Sequence, residues 1–116
     1  MSWAIWITGP PASGKSAIAR AVTAELETRG HRVKWLELDE VRASITPAPR
    51  YTDAERDLVY RALGYMATLL VEEGRPVLID ATAHRRVWRD LARAAVPRFA
   101  GVQVVCPIDI CRGRVP

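Results

Sequence analysis

The stretch Gly9-Pro10-Pro11-Ala12-Ser13-Gly14-Lys15-Ser16 decides the fold expected for this chain of 116 residues. It fits the pattern G-x-x-x-x-G-K-[ST], in which glycines let consecutive backbone N–H groups turn inward onto phosphate oxygens. An apolar run at residues 3–8 precedes it, and a helical apolar pattern over residues 14–29 follows it. All eight residues are therefore predicted to bind ATP, with Lys15 contacting the β- and γ-phosphates and Ser16 ligating Mg²⁺.

Outward from this loop, strand and helix patterns alternate along the chain. Further strands are predicted at residues 33–38, 76–80 and 102–106, and further helices at 39–45, from the Thr52–Glu55 capping box to Gly74, and at 84–95. Residues 46–52 contain two prolines and are predicted to be a loop. Strands that alternate with helices form a parallel sheet covered by helices. The prediction is one α/β, three-layer P-loop NTPase domain over residues 1–116.

Composition and charge exclude several classes of protein. A hydrophobic content of 49% with 26% charged residues is ordinary globular usage, so a disordered chain is not expected. No apolar run approaches the roughly 20 residues that span a bilayer, and no basic leader precedes the first strand, so a cytoplasmic protein with no membrane partner is expected. Cys106 and Cys111 match no common zinc or redox spacing. The net charge of +4 suits an anionic partner, but without a basic stripe interleaved with aromatic residues nucleic acid is not expected.

Acidic residues at two predicted strand ends point to chemistry beside the phosphate loop. Ligands of parallel sheets lie beyond the carboxyl ends of the strands. Asp39 is predicted to orient an acceptor hydroxyl and take its proton, and Arg42 to bind an anionic substrate. Asp80 ends an apolar strand as a Walker B acid does, and is predicted to hold the water shell of Mg²⁺. The alternatives are a solvated carboxylate at a helix start for Asp39 and a capped turn for Asp80.

The segment Arg50-Tyr51-Thr52-Asp53-Ala54-Glu55-Arg56 carries an aromatic residue and two arginines at the start of the long helix. Such a segment is predicted to hold an anionic, stackable substrate, with Arg61 as a further contributor. The alternative for each arginine is a solvated surface charge.

Taken together, these motifs resemble the adenylylsulfate kinase family along nearly the whole chain. The matching segments are the G-x-x-x-x-G-K-S loop, LELDEVR, YTDAER, EEGRPVLIDATAHRR and VQVVCPIDICRGR. The resemblance implies a kinase with a nucleoside-monophosphate-kinase-like fold. It implies Mg²⁺ as cofactor, ATP as co-substrate, and phosphorylation of the 3′-hydroxyl of adenosine 5′-phosphosulfate.

The resemblance also implies roles for individual residues. Lys15 and Ser16 fall on the positions for ATP and magnesium, and Asp39 on the catalytic carboxylate. Acceptor-binding positions of the family fall on Arg42, Tyr51, Arg56 and Thr82. Arg114 matches an arginine that lies against the adenine of the donor nucleotide.

Two departures from the family pattern leave the acceptor open. Val59 stands where the family has an asparagine that hydrogen-bonds the acceptor nucleotide, and Asp80 is an acid that the family generally lacks at this strand. The alternatives are a kinase for another hydroxyl acceptor (a polynucleotide, an antibiotic or a sugar) and a non-catalytic ATP-binding module.

The chain ends where the family continues into a lid, a strand and a helix, so we expect either that these last elements are missing or that a homodimer covers the open edge.

Overall fold

The computed structural model describes residues 2–9, 14–82, 87, 90, 93–94, 96 and 98–103. The elements in chain order are β1 (Ala4–Thr8), α1 (Lys15–Thr28), β2 (Lys34–Glu37), α2 (Leu38–Ile45), α3 (Asp53–Glu72), β3 (Val77–Asp80) and β4 (Phe99–Gln103). The strands form one parallel sheet in the order β2-β3-β1-β4. The predicted α/β fold with a parallel sheet is confirmed.

Successive side chains of the central strands β1 and β3 point to opposite faces of the sheet and pack into two separate hydrophobic cores. Trp6 of β1 and Ile79 of β3 pack with Val59 and Leu63 of α3 on one face of the sheet. On the other face, Ile7 and Leu78 belong to a cluster that contains Ala19 of α1, with Val22 and Leu26 packed against it. Because both faces of β1 and β3 are covered, their side chains are almost fully buried, as expected for the centre of a parallel sheet.

The helix that follows the phosphate loop packs its predicted face on the sheet at Val22 and Leu26 but not at Ile18. The sequence pattern places Ile18 in the apolar face, but Ile18 is 38% exposed, whereas Ala19 is completely buried. The small side chain of Ala19 lets the first turns of α1 approach the sheet closely. Gly30, with φ +87°, ends the following turn, in the left-handed conformation that glycine adopts at little cost.

The last strand begins three residues earlier than predicted. All five residues of β1 pair with β4, from Ala4 beside Phe99 to Thr8 beside Gln103. The β-branched stretch 102–106 is the stronger composition signal, but the pairing register with β1 sets where the strand starts. Of the predicted helix 84–95 only isolated positions are described, and Cys106 and Cys111 lie outside the described residues.

The buried side chain of Trp6 in β1 contacts both α3 and the segment that follows β3. The Trp6 indole Nε1 donates a hydrogen bond to the backbone oxygen of Ala81, 3.2 Å away. The same ring stacks on Tyr60 of α3 with a centroid distance of 6.0 Å and an interplanar angle of 10°. The chain that leaves β3 is thereby held against β1 and α3. Within the described part of the chain, no helix is long and apolar enough to cross a membrane.

Candidate active site

Three side chains from two distant segments meet at the carboxyl edge of the sheet, and we call Lys15, Ser16 and Asp80 the donor triad. The Ser16 hydroxyl donates a 3.0 Å hydrogen bond to Oδ2 of Asp80. Lys15 Nζ lies 3.6 Å from the other carboxylate oxygen, Oδ1. Gly14, in the left-handed region at φ 91°, turns the chain into α1 and brings both residues onto the end of β3.

The donor triad has the features of a magnesium site. Asp80 is only 2% exposed, and its buried Oδ1 accepts no hydrogen bond, although Lys15 is near. A buried carboxylate oxygen without a donor calls for a cation or an ordered water. Mg²⁺ binds proteins through one or two oxygen ligands and keeps several waters, so a hydroxyl and one carboxylate fit it. Among the described residues, no group of three or more His, Cys, Asp or Glu side chains is placed to hold a metal ion.

A cleft of about 170 Å³ joins the donor triad to the predicted catalytic and substrate residues. Its lining consists of Lys15, Ser16, Glu37, Leu38, Asp39, Asp80 and Thr82. Asp39 reaches it because α2 begins directly after β2, and Thr82 because it follows the end of β3. The structure therefore brings Asp39 and Thr82 together with Lys15, Ser16 and Asp80.

A second group of side chains forms at the junction of α2 and α3, and we call Arg42, Tyr51 and Glu55 the acceptor cluster. Arg42 Nη1 lies 3.5 Å from Glu55 Oε1, and both side chains are largely buried at 12% and 14% exposure. The Arg42 guanidinium carbon lies 5.3 Å from the centroid of the Tyr51 ring, a cation–π contact. The structure thus brings together Arg42 and Tyr51, which the sequence placed nine positions apart.

Arg56 is attached to this region less firmly. Its Nη1 lies 4.0 Å from Asp53 Oδ1 within the first turn of α3, and the arginine side chain is 36% exposed. An exposed pair at this distance contributes little to stability. Arg56 can therefore leave Asp53 for another anion at small cost.

Sequence reasoning missed two acidic residues of the site. Glu37 lines the cleft beside Asp39, although the sequence analysis assigns it no role. Glu55 had been recognised only through the capping box, whose hydrogen bond from Glu55 N to Thr52 Oγ1 is present at 3.2 Å. The Thr-to-Glu spacing was the available signal, but it predicts the cap and not the partners of the carboxylate.

Part of the predicted ATP site belongs to the described part of the chain. Gly9 follows β1 and Gly14 precedes α1, so both ends of the phosphate loop are described. The intervening Pro10, Pro11, Ala12 and Ser13, and the predicted adenine contact Arg114, lie outside the described residues.

Known proteins resemble this chain in sequence and in fold. A sequence model of the family described as adenylylsulphate kinase matches residues 1–116. A probable adenylyl-sulfate kinase of Archaeoglobus fulgidus is 34% identical over 116 residues, which are all of this chain and 75% of that protein. An adenylyl-sulfate kinase of Rippkaea orientalis is 33% identical over 110 residues, which are 95% of this chain and 61% of that protein.

A solved structure extends the likeness to three dimensions. The APS kinase of Mycobacterium tuberculosis in complex with AMPPNP and APS superposes with a TM-score of 0.89 at 30% identity, over 99% of this chain and 69% of that one. The chain therefore spans 61% to 75% of the length of these three proteins.

Proposed function

This chain belongs to the adenylylsulphate kinase family of P-loop kinases, and we propose that it transfers the terminal phosphoryl group of ATP to the 3′-hydroxyl of adenosine 5′-phosphosulfate. The observation that carries the proposal is the shared cleft, in which the donor triad meets Asp39 and Thr82. The proposal includes a single P-loop kinase domain over residues 1–116, Mg²⁺ as cofactor, and a cytoplasmic role in sulfate assimilation.

The donor triad handles the nucleotide. In this proposal, the Lys15 ammonium neutralises charge on the β- and γ-phosphates, and the backbone of the loop from Gly9 to Ser16 binds their oxygens. Ser16 and Asp80 would hold Mg²⁺, which supplies charge neutralisation to the phosphates when bound. Arg114 remains the predicted contact to adenine.

Asp39 handles the proton at the acceptor side of the cleft. As the acceptor oxygen forms its bond to the γ-phosphorus, the bond from that phosphorus to the β,γ-bridging oxygen breaks and ADP leaves. The hydroxyl proton passes to the Asp39 carboxylate. Thr82 lines the same cleft and offers a hydroxyl to the acceptor.

The acceptor's anionic group is assigned to arginines outside the cleft. Arg42 lies three positions after Asp39 on α2, so both project from one side of that helix. Its guanidinium is suited to a phosphosulfate oxygen pair, and Tyr51 offers a ring for stacking. Arg56, weakly paired and partly exposed, is the second arginine for this anion.

A kinase for another hydroxyl acceptor is the second candidate, and one observation favours it. Val59, which replaces the family's acceptor-binding asparagine, is completely buried on the core-facing side of α3. The chain therefore lacks a hydrogen bond at this position, and an acceptor without that group loses nothing there. A homodimer covering an edge of the sheet stays a prediction.

An acceptor panel tests the proposal. The protein is incubated with Mg²⁺ and γ-labelled ATP, and label transfer is measured to adenosine 5′-phosphosulfate, a 5′-hydroxyl oligonucleotide, an aminoglycoside and a sugar. We expect transfer to the sulfonucleotide and almost none with Asp39→Asn. Transfer to another acceptor would replace the substrate assignment. ATP binding without any transfer would favour a non-catalytic ATP-binding module.

A further inference from the structure

We propose that Glu55 is a positioning residue for acceptor binding, because its one carboxylate fixes both the Arg42 guanidinium and the backbone that carries the Tyr51 ring. The inference rests on the proposed function, since it assumes that Arg42 and Tyr51 contact the acceptor. It adds a residue that neither contacts the donor triad nor lines the cleft.

The Glu55 carboxylate does not make the contact that its position in the helix predicts. A capping-box glutamate ordinarily reaches back to the backbone N–H of the cap residue, here Thr52. Instead, Oε2 accepts a hydrogen bond from Arg50 N at 2.8 Å, and Oε1 accepts one from Tyr51 N at 3.4 Å. Two successive N–H groups therefore converge on this carboxylate, as they do in an anion-binding nest.

These backbone hydrogen bonds hold Tyr51 in an unusual conformation. Its φ is 58°, the only positive φ of a non-glycine residue in the described part of the chain. Such a conformation persists where the surroundings hold it in place. Glu55 supplies that restraint on the N-terminal side of Tyr51, and the Tyr51 ring is thereby set against the face of Arg42.

Glu55 also limits the motion of the Arg42 side chain while leaving it able to bind an anion. The pair engages Nη1 at 3.5 Å in a setting where both side chains are at most 14% exposed. A guanidinium has five N–H donors, so the remaining edge stays available for bidentate contact with an acceptor oxygen pair. Bidentate recognition depends on a fixed orientation of the guanidinium plane, and Glu55 on one side and Tyr51 on the other provide it.

The experiment compares Glu55→Gln with Thr52→Ala. The glutamine keeps the shape and one amide oxygen, which can accept from one of the two backbone N–H groups, and it removes the charge that holds Arg42. The alanine removes the cap hydrogen bond of the same helix and leaves the carboxylate in place. We expect Glu55→Gln to raise the KM for adenosine 5′-phosphosulfate about 5- to 30-fold while the KM for ATP changes less than about two-fold. Thr52→Ala should lower the Tm and leave both KM values nearly unchanged.

A double-variant cycle and a spectroscopic readout complete the test. Arg42→Ala with Glu55→Gln should be about as weak toward the acceptor as Arg42→Ala alone, since the charge that the glutamine removes acts through Arg42. The NMR signals of the Arg42 Nη1–H protons, which face Glu55, should exchange slowly with solvent in the wild type and in Thr52→Ala, and rapidly in Glu55→Gln.

The outcomes separate this inference from the proposed function. If Arg42→Ala leaves acceptor binding unchanged, the proposed acceptor side is wrong, and the positioning role falls with it. If Arg42→Ala weakens acceptor binding but Glu55→Gln does not, only the positioning role is overturned. A Glu55→Gln protein that unfolds, or that loses ATP and acceptor affinity equally, would make Glu55 a purely structural residue.

Discussion

The donor triad and the acceptor cluster are built in different ways. Lys15, Ser16 and Asp80 lie at the ends of elements whose positions the parallel sheet fixes, and Asp80 is almost completely buried. A site on a rigid sheet edge has its geometry set before any ligand binds. ATP binding at the donor triad is therefore expected to change little when residues outside the phosphate loop and β3 are substituted.

The acceptor cluster has no such frame. Arg42 belongs to the short helix α2, and Tyr51 belongs to the loop before α3, where it is 56% exposed. A non-glycine residue in the left-handed region costs about 1–2 kcal/mol, which Glu55 must offset through its hydrogen bonds. The acceptor cluster is held by a few side-chain contacts, so single substitutions should change acceptor binding while the fold and the donor triad stay intact.

Removing the cation of the donor triad should produce the largest effect. Lys15→Ala removes the charge that neutralises the β- and γ-phosphates, and we expect no measurable ATP affinity by calorimetry and a turnover lower by about 10³ or more. Lys34→Ala removes the other lysine, which is exposed on β2, and should change neither quantity. Wild-type affinity and turnover in Lys15→Ala would refute the donor assignment.

Asp39 lines the cleft that contains the donor triad. Its substitution separates an effect on ATP binding from an effect on phosphoryl transfer. Asp39→Asn keeps the shape of the side chain but removes the proton acceptor. ATP affinity should stay within a few fold while turnover falls by about 10². Glu40→Gln, at the exposed neighbouring position, removes a carboxylate without entering the cleft and serves as the control. Near-normal turnover in Asp39→Asn would make Asp39 a solvated carboxylate at a helix start.

Substitution of Arg56 tests whether acceptor binding is independent of ATP binding. Arg56→Ala should raise the KM for the acceptor roughly ten- to hundred-fold, because it removes one charge-assisted contact of about 1.5–3 kcal/mol. The KM for ATP should remain nearly constant. Arg29→Ala, an exposed arginine paired with Glu25 at the far end of α1, is the matched control. Equal changes in both KM values would contradict the independence of acceptor binding and ATP binding.

The smallest expected effect concerns the helix that supports the acceptor cluster. On sequence grounds Val59→Asn would restore an acceptor contact, but Val59 is completely buried in the apolar core. An unpaired amide there should lower the free energy of unfolding by about 2 kcal/mol and the Tm by roughly 10 °C. Leu58→Asn changes the adjacent, 57% exposed position and should leave the Tm almost unchanged. A stable Val59→Asn protein with a lower acceptor KM would instead place position 59 at the acceptor.

The same contrast explains what the sequence predicted. The phosphate loop is a contiguous motif, and strand ends of a parallel sheet meet at one edge, so the proximity of Ser16 and Asp80 followed from pattern and topology alone. The start of β4 was missed because its register depends on pairing with β1 and not on its own composition.

The contacts of Glu55 lay beyond sequence reasoning for a different reason. A capping box predicts where a helix begins, but the direction of the carboxylate depends on the left-handed turn at Tyr51 and on the distance to Arg42. The distance to Arg42 is not local in sequence, and the composition of the turn gave no sign of a positive φ at Tyr51. The contacts within the acceptor cluster therefore become evident only in the three-dimensional structure.

The strand order has a consequence for how this protein acquires its nucleotide site during synthesis. β3 lies between β1 and β2 in the sheet, so β1 leaves the ribosome long before its neighbour β3 has been translated. Ser16 waits for Asp80, which is 64 positions later in the chain, and at about 5–20 residues per second this delay lasts several seconds. Pairing strands that are so far apart in sequence is slower than forming local contacts. ATP is therefore expected to bind only after β3 has been inserted, and to act as a late ligand that traps the completed sheet.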